Sequence, residues 1–256
     1  FTHQDPGFLN HIVTKKPDIV RIYLPFDANT LLCTFEHVIQ TKNYINVVIA
    51  SKHPSLQWLN MDEAKEHCSK GISILNWASD VDPDVVLVGA GDTPTLEVFA
   101  ATDILRDNIP DLKIRVVNVV DLMKLVSNVD HPHGLTNDEY DAIFTKDKPI
   151  IFAFHGYPDL IHQLTYKRFN RNLHVHGYIE EGTITTPFDM RVRNRIDRYH
   201  LVLDVLKYVK VNVKQRNALQ KKCNDTLSYH EKYIVENGVD IPEVVNYKWH
   251  GKTNNI

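Results

Sequence analysis

Cysteine is scarce in this sequence, with three residues among 256. Cys33, Cys68 and Cys223 are odd in number and far apart, and none belongs to a CxxC pair that could bind zinc or form a redox disulfide. We therefore interpret all three as structural or incidental thiols. The sequence also lacks the GxSxG elbow of serine hydrolases and the Walker loop of nucleotide-binding ATPases, so neither framework is indicated.

Long apolar runs and basic clusters are absent as well. No stretch approaches the ~20 apolar residues that cross a bilayer, and the first residues lack the basic and apolar regions of a signal peptide. The formal net charge is −3, and no run of Lys and Arg forms the stripe typical of nucleic-acid-binding proteins. We therefore expect a soluble, cytoplasmic protein whose partners include neither nucleic acid nor a membrane.

Strand-like and helix-like segments alternate along the chain. Runs of β-branched and apolar residues predict strands at residues 18–24, 45–50, 84–88, 113–120, 149–154 and 174–178. Helical spacing predicts helices at residues 27–40, 62–69, 93–106, 136–144, 158–169, 189–209 and 211–237. This alternation favours an α/β fold with a largely parallel sheet flanked by helices.

The segment between the second and third predicted strands indicates a domain boundary near residue 59. Residues 1–59 then form the incomplete end of one α/β unit, and residues 60–256 form a complete second unit. Gly71 is expected to end the intervening helix in a left-handed conformation. Because the chain begins at Phe1 without a Met and a strand soon follows, we expect the sequence to be part of a longer polypeptide.

Lys52 is the strongest candidate for ligand binding. It falls just past the carboxyl end of the second predicted strand, where parallel α/β sheets collect ligands, and its ammonium group can meet a phosphate as a point charge. His3 lies in a Gly- and Pro-containing loop beside Gln4 and Asp5, where an imidazole could donate to a phosphate or transfer a proton near neutral pH. A solvated surface lysine and a structural histidine are the alternatives that spacing leaves open.

The Gly89-Ala90-Gly91 turn follows a strand and opens a helix, as the phosphate-binding turn of nucleotide-binding proteins does. The third glycine of that fingerprint is missing, however, because Gly91 is followed by Asp92-Thr93-Pro94. A tight strand-to-helix turn with Thr93 as the N-cap explains the pattern equally. A nucleotide or another anion at this turn stays open as an alternative.

Two histidine pairs have a spacing compatible with metal ligation. His174 and His176 lie two apart on a predicted strand and therefore on one face, and His131 and His133 form a second pair in a Pro- and Gly-containing loop. Neither pair has a clear third ligand. We therefore predict no metal site in this chain.

The segment 180–191 (EEGTITTPFDMR) is unusually polar for a connection between elements. Spacing alone favours a loop with turn and capping residues. In the helix predicted after it, Asp197 and Arg198 are expected to pair on the surface, where such a pair contributes little to stability.

Several stretches together resemble the phosphoketolase family. They are FTHQDPGF at the start, LPFDANTLL, SKHPSLQWL, GAGDTPTLE, FAFHGYP and finally HVHGYIEEGTITTPFDMRVRNRIDRYHL. The resemblance extends to about Val209, and its specificity lies in the combination of HGY, EEGTITTPFDMRV and DRYHL in one chain.

This resemblance implies a transketolase-like arrangement. Residues 1–59 would be the end of a pyrimidine-binding α/β domain, and residues 60–256 would be a transketolase-like carboxy-terminal domain. Full-length members are expected to be homodimers that use thiamine diphosphate and magnesium to cleave xylulose 5-phosphate, and often fructose 6-phosphate, with inorganic phosphate into acetyl phosphate and an aldose phosphate. By their motif positions, His3 matches an active-site histidine and Lys52 matches a lysine that binds the substrate phosphate.

The chain also departs from a complete thiamine enzyme. It has no GDG-and-Asn motif to hold magnesium and the diphosphate, and the acidic residue that activates the aminopyrimidine would precede Phe1. We therefore expect neither cofactor nor metal on this fragment, and no cleavage without the missing amino-terminal domains. Two alternatives remain: a noncatalytic anion- or nucleotide-binding domain, and part of a transketolase, which the EEGTITTPFDMRV stretch disfavours.

Overall fold

The computed structural model describes residues 5–51, 54–179 and 184–249. Its strands, in chain order, are β1 (Val20–Tyr23), β2 (Ile45–Val48), β3 (Ile72–Ile74), β4 (Val85–Ala90), β5 (Ile114–Val119), β6 (Ile150–Phe154) and β7 (Leu173–Gly177). Its helices are α1 (Gly7–Val13), α2 (Ala28–Gln40), α3 (Met61–Lys70), α4 (Asp92–Asn108), α5 (Asn137–Phe144), α6 (Pro158–Thr165), α7 (Pro187–Arg193), α8 (Arg198–Tyr208), α9 (Val213–Asn237) and α10 (Pro242–Val245). The six predicted strands are all present, and β3 is a short strand that the sequence pattern does not reveal.

The main sheet has five strands in the order β3-β5-β4-β6-β7. The strands β5, β4, β6 and β7 are parallel, whereas β3 is antiparallel to β5. Parallel neighbours need a crossover that packs on a face of the sheet, and α4, α5 and α6 lie in the three crossovers. The predicted α/β fold with a largely parallel sheet is confirmed.

The central strands are buried on both faces, as expected for a parallel sheet between helical layers. In β4, Val85 and Leu87 pack with residues of α4 and α8, whereas Val86 and Val88 pack with residues of α5 and α6. Successive side chains of a strand point to opposite faces, so one continuously apolar strand contributes to two cores. All four side chains are fully buried.

Residues 20–48 contribute a separate parallel pair, β1 and β2. The amide of Leu24 donates to the carbonyl oxygen of Val120 at 2.7 Å, and Tyr23 forms an isolated antiparallel bridge with Asp121. The two predicted units therefore contain different sheets but pack directly on each other. The boundary near residue 59 stays a prediction.

Capping side chains explain where several helices begin and end. Asp27 accepts a hydrogen bond from the amide of Thr30 at 2.8 Å and starts α2. Thr136 starts α5 in the same way, by accepting from the amide of Glu139 at 3.2 Å. At the end of α3, Gly71 has a left-handed φ of 73°, so the predicted helix stop is confirmed.

The helix α4 begins earlier than the sequence predicts, and Thr93 as its N-cap is wrong. The N-cap is Gly91, which has a φ of 100° and makes no side-chain capping bond. A Cβ atom at Gly91 would lie 2.7 Å from the Cβ atom of His155, so both backbone conformation and space require glycine here. The chain therefore turns from β4 into the helix without an intervening loop.

The single helix predicted for residues 189–209 is instead two helices, α7 and α8. Between them Arg195 has a positive φ of 58°, and Asp197 caps α8 by accepting from the amide of Tyr199 at 3.0 Å. The apolar periodicity continues across this break, so the pattern alone does not reveal it. The helix predicted for residues 158–169 also ends early, at Thr165.

The predicted surface pair of Asp197 and Arg198 is wrong, because both side chains are buried. Arg198 donates from Nε to Oε2 of Glu97 at 2.9 Å, and Arg191 donates to Oε1 of the same carboxylate at 2.6 Å. Burial raises the pKa of Glu97, but the charges of Arg198 and Arg191 outweigh burial and hold the pKa at about 2. This buried ion cluster fixes α7 and α8 against α4.

The long helix predicted for residues 211–237 is confirmed as α9. Cys223 is buried in it, and Cys33 and Cys68 are partly buried elsewhere. All three are free thiols, and their interpretation as structural or incidental residues stays a prediction. In the described ranges, no helix combines the length and the apolar character needed to cross a bilayer.

Candidate functional site

His3 and Lys52, the two residues with predicted roles in ligand binding, lie outside the residues that the structure describes. Their neighbours in the chain are described. Ser51 precedes Lys52 and follows the end of β2, and Asp5 lies just before α1. Both neighbours contact residues at the carboxyl edge of the main sheet, which is the edge at which parallel α/β sheets bind ligands.

Five polar residues meet at this edge. We call them the carboxyl-edge cluster: Asp5, Ser51, Asp92, His155 and Tyr157. The last three follow β4 and β6, which are parallel neighbours in the sheet. Because parallel strands end at the same edge, their loops emerge side by side and bring these residues together.

Asp92 is the first residue of α4, so its carboxylate lies at the positive end of the helix dipole. Burial raises the pKa of Asp92, but the nearby His155 ring, the Thr93 amide and a hydrogen bond from the Ser51 hydroxyl outweigh burial, and the pKa lies below its ordinary value. The carboxylate is therefore ionised at neutral pH. Through Ser51 it holds the chain immediately before Lys52.

His155 lies directly after β6, and its amide donates to the carbonyl oxygen of Ala90 at 3.0 Å. Its Nδ1 atom is 3.6 Å from Oδ1 of Asp92, which is too long for a well-formed hydrogen bond but short enough for an ion pair when the ring is protonated. The ring also packs on Tyr178, with 5.3 Å between ring centroids. Burial raises the pKa of Tyr178, so a neutral phenol faces the imidazole.

Tyr157 donates from its hydroxyl group to Oδ1 of Asp5 at 2.8 Å. The same oxygen accepts from the amide of Gly7 at 2.7 Å. A Cβ atom at Gly7 would lie 3.2 Å from the Tyr157 ring, so the ring lies directly against the backbone at the start of α1. Asn10 of α1 also donates to Asp159 of α6 at 3.3 Å. These contacts join the start of α1 to the start of α6.

The turn from Gly89 to Asp92 lacks the features of a nucleotide-binding loop. A Cβ atom at Gly89 would lie 2.6 Å from Oγ1 of Thr95, and one at Gly91 would meet His155. These glycines therefore make room for the chain's own helix and loop, not for a diphosphate. The ionised Asp92 adds a negative charge where an anion would have to bind. The structure gives no support to nucleotide capture at this turn.

The histidine pair at 131 and 133 is not arranged as a metal site. His133 accepts from Nε of Arg21 at 3.0 Å, and its Nδ1 atom is 2.6 Å from Oδ2 of Asp121. His131 lies beside the same guanidinium group, with 3.4 Å between Nε2 and Nη1. A cation would be repelled by that guanidinium group. The pair instead connects β1 to the loop before α5.

The second histidine pair also has protein partners. His174 shares a hydrogen bond with Oδ1 of Asn172 at 2.8 Å and stacks on Tyr208, with 3.5 Å between ring centroids. His176 hydrogen-bonds to Asp204 of α8. Within the described ranges, no group of three or more His, Cys, Asp or Glu side chains is placed to hold a metal ion.

Three members of the carboxyl-edge cluster have no role predicted from the sequence: Asp92, His155 and Tyr157. Each follows the end of a predicted parallel strand, and that position is the signal that could have identified them. Their partners Asp5 and Ser51 are distant in the chain. No local pattern predicts such contacts.

An apolar stripe is exposed on α2. Leu32, Phe35 and Ile39 are 57%, 57% and 65% exposed, respectively. Residues spaced by three and four positions share one face of a helix, so the three side chains form a continuous row. Exposed apolar faces are common at surfaces that contact other protein.

Protein-family models match parts of both predicted units. A model of the "XFP C-terminal domain" matches residues 52–249, and a model of "D-xylulose 5-phosphate/D-fructose 6-phosphate phosphoketolase" matches residues 1–41. The chain is 57% identical to a "Probable phosphoketolase" of Clostridium acetobutylicum over 98% of this chain and 32% of that protein. It is 54% identical to a "Probable phosphoketolase" of Rhodopirellula baltica over 99% of this chain and 32% of that protein. The chain thus spans about a third of the length of these relatives.

Comparisons of the fold identify transketolases. A complex of Pichia stipitis transketolase with sedoheptulose 7-phosphate has a TM-score of 0.59 and 14% identity, over 80% of this chain and 27% of that chain. Transketolase from Leishmania mexicana has a TM-score of 0.56 and 12% identity, over the same shares. At such low identity the likeness concerns the fold alone, and it confirms the predicted transketolase carboxy-terminal-like architecture.

Proposed function

Because the chain belongs to the phosphoketolase family and matches its carboxy-terminal domain over residues 52–249, we propose that it is part of an enzyme that cleaves xylulose 5-phosphate with inorganic phosphate. Fructose 6-phosphate is a second proposed substrate. The products are acetyl phosphate, an aldose phosphate and water. The similarity to phosphoketolases over nearly the whole chain supports this proposal.

Lys52 binds the phosphate group of the sugar in this proposal. A lysine ammonium group is a compact charge that can pair with phosphate oxygens in several geometries. The observation that carries the proposal is the hydrogen bond from Ser51 to Asp92. It holds the residue next to Lys52 at the carboxyl edge of the main sheet, where a ligand of a parallel α/β sheet is expected.

His3 acts as an active-site histidine, by hydrogen bonding to a phosphate or by transferring a proton near neutral pH. Asp5 lies two positions after His3 and is bound by Tyr157 at the same edge. The chain segments next to both proposed site residues therefore contact one cluster. This common location supports a shared role in one active site.

Thiamine diphosphate and magnesium are the proposed cofactors of the complete enzyme. The described residues of this chain do not fit them: the turn at the carboxyl edge carries the ionised Asp92, and no group of three metal-ligating side chains is present within the described ranges. We therefore assign both groups to domains outside this chain. The isolated chain is proposed to have no cleavage activity.

The proposed partners are the amino-terminal domains of the same polypeptide. They would cover the exposed stripe of Leu32, Phe35 and Ile39, since the curated relatives are about three times as long as this chain. The complete enzyme is proposed to be a cytoplasmic homodimer.

Formation of acetyl phosphate tests this proposal. The complete enzyme, supplied with thiamine diphosphate, magnesium, xylulose 5-phosphate and inorganic phosphate, is expected to release acetyl phosphate, and the isolated chain is expected to release none. Product formation by the isolated chain would contradict the assignment of the cofactor to other domains. Failure of the complete enzyme to cleave either sugar phosphate would refute the proposed activity.

The alternative that the chain belongs to a transketolase has less support. The transketolases share its fold at 12 to 14% identity, whereas the phosphoketolases share more than half of its residues. The same assay separates the two activities, because acetyl phosphate forms only when inorganic phosphate accepts the two-carbon unit.

A further inference from the structure

We infer that Tyr157 and Asp92 are positioning residues of the sugar-phosphate site. Tyr157 orients the segment that carries His3, and Asp92 orients the segment that carries Lys52. This inference rests on the proposed function, from which it takes the roles of His3 and Lys52. It assigns to the carboxy-terminal domain a direct influence on substrate binding and turnover.

The first contact fixes the backbone next to His3. Oδ1 of Asp5 accepts from the Tyr157 hydroxyl group at 2.8 Å and from the Gly7 amide at 2.7 Å. The Tyr157 ring lies against the backbone at Gly7, because a Cβ atom there would be 3.2 Å from the ring. The Tyr157 side chain thus contacts the start of α1 twice, through its hydroxyl group at Asp5 and through its ring at Gly7.

The second contact fixes the backbone next to Lys52. The Ser51 hydroxyl group donates to the carboxylate of Asp92. Asp92 is itself held in the first turn of α4, a helix of 17 residues that packs on the main sheet. Ser51 is therefore attached to a long helix that contributes buried residues to the core.

The turn after β6 carries Tyr157 and lies beside Asp92. The amide of His155 donates to the carbonyl oxygen of Ala90 at 3.0 Å. A Cβ atom at Gly156 would lie 2.6 Å from the Phe154 ring, and one at Gly177 would lie 2.1 Å from the carbonyl oxygen of Gly156. The backbone at Gly156 therefore packs closely against the Phe154 ring and against Gly177.

Two residues of this turn lie next to the two contacts. Tyr157 binds Asp5, and two residues earlier His155 lies 3.6 Å from Asp92. A displacement of the turn would move Tyr157 relative to Asp5. Misplacing a reacting group by ~1 Å can cost about 100-fold in rate, so the rigidity of these two contacts matters for the proposed site.

The same contacts would also exist if their only role were to hold the two units together. The two roles differ in one measurable respect. If Asp92 acts through Lys52, its removal has no further effect once Lys52 is replaced. If Asp92 only stabilises the fold, its removal lowers activity by the same factor whether or not Lys52 is present.

The Asp92 contact is tested in the complete enzyme by steady-state kinetics. We expect Asp92→Ala to raise KM for xylulose 5-phosphate about tenfold, with a smaller change in kcat, because Ser51, the residue before Lys52, loses its hydrogen-bond partner. Asp92→Asn keeps an oxygen that accepts from Ser51 and should recover part of the loss. In a Lys52→Ala background, Asp92→Ala should leave KM unchanged.

The Tyr157 contact is tested by Tyr157→Phe, which removes only the hydroxyl group. We expect kcat to fall about tenfold in the complete enzyme and to show no further fall in a His3→Ala background. Tyr247→Phe is the matched control, because it removes a comparable bond, from the Tyr247 hydroxyl group to Oδ2 of Asp103 at 2.7 Å. The control should retain the kinetics of the parent enzyme.

Four outcomes are decisive. Equal losses in the presence and absence of Lys52 and His3 would overturn the inference, and so would a loss in Tyr247→Phe as large as that in Tyr157→Phe. If Asp92→Ala does not fold, Ser51→Ala removes the same bond and must give the predicted rise in KM. If Lys52→Ala and His3→Ala themselves leave the kinetics unchanged, the site assignment under the proposed function fails, and the inference fails with it.

Discussion

Tyr157 donates its hydroxyl hydrogen to Oδ1 of Asp5 at 2.8 Å, across 152 positions of the sequence. The bond joins a segment before the first helix to the turn after the central strand β6. Because Asp5 lies two positions after His3, the carboxy-terminal domain reaches the segment in which the family resemblance expects an active-site residue.

Replacing Lys52 by alanine should weaken the use of xylulose 5-phosphate by the complete enzyme. Loss of a charge-assisted hydrogen bond to phosphate costs roughly 2 to 3 kcal/mol, which corresponds to a fall of about 30- to 150-fold in kcat/KM. Lys221→Ala is the control, because Lys221 is exposed on α9 and pairs with Asp225. Unchanged kcat/KM in Lys52→Ala would refute the phosphate-binding role.

Replacing His3 by alanine should lower kcat of the complete enzyme by about 100-fold or more, since a positioned general acid or base typically contributes that much. His11→Ala is the control, because His11 is exposed on the nearby helix α1. If His3→Ala raises only KM and leaves kcat intact, His3 binds phosphate and does not transfer a proton. Unchanged kinetics would remove His3 from the site.

Glu97→Gln should destabilise the isolated chain by about 3 to 5 kcal/mol, because it leaves the buried guanidinium group of Arg198 and the partly buried one of Arg191 without their counter-charge. Urea unfolding measures the change. Glu66→Gln is the control, because it removes an exposed pair with Lys70 and should have little effect. Comparable losses in the two variants would contradict the structural role of Glu97.

The contribution of Glu97 to the stability of the folded chain should decrease as the pH falls. Its pKa of about 2 in the folded chain lies below the ordinary value of 4.5, so the carboxylate stabilises the folded state fully above pH 4.5. That stabilisation is lost as pH falls toward 2. The difference in unfolding free energy between parent and Glu97→Gln should therefore shrink on acidification.

His67 should make the chain less stable in mild acid. Burial lowers its pKa, and the hydrogen bond to Oδ1 of Asn118 at 2.8 Å offsets this only in part. A lowered folded-state pKa gives stability that is present above the unfolded value near 6.5 and is lost as pH falls below it.

Urea unfolding between pH 7 and pH 5 measures this effect. His67→Gln should flatten the dependence, because the buried side chain no longer takes up a proton on unfolding. The control His162→Gln changes an exposed ring and should retain the slope of the parent. A parent chain whose stability does not change across this range would contradict the prediction.

Phe35→Lys should act differently in the two forms of the protein. In the isolated chain the side chain is 57% exposed, so its replacement should leave the melting temperature unchanged and should reduce self-association. In the complete enzyme it should disrupt packing against the amino-terminal domains and lower the melting temperature. Val235→Lys is the control, because Val235 is exposed on α9, away from the stripe. Equal behaviour of both variants in the complete enzyme would argue against the proposed contact.

Local patterns predict most of the elements but not all of their ends. The parallel strands are apolar runs, and Asp27 and Thr136 cap helices with bonds to residues three positions away. The break between α7 and α8 escapes prediction because it depends on the positive φ of Arg195, which periodicity does not encode. The start of α4 escapes it because the packing of Gly91 against His155 decides where the helix begins.

The candidate site shows the same division. Lys52 is a candidate because it follows an apolar strand, and His3 is a candidate because of its polar loop and the family resemblance; both roles stay predictions. Asp92 and Tyr157 are visible in the sequence as residues after strands, but their partners Ser51 and Asp5 are not. A contact over such a distance depends on the order of strands in the sheet, and the order β3-β5-β4-β6-β7 differs from the order along the chain.

The amino-acid sequence by itself determined the α/β class, the parallel strands, the capped helices and the family, because each of these depends on periodicity, neighbouring residues or a motif within a short stretch. Tertiary structure alone decided that Arg198 pairs with Glu97 inside the core and that Tyr157 reaches Asp5. Such pairings form because a polar or charged group that is buried away from water needs a hydrogen-bonding or oppositely charged partner. That partner is set by the packing of whole elements, which no short stretch of sequence contains.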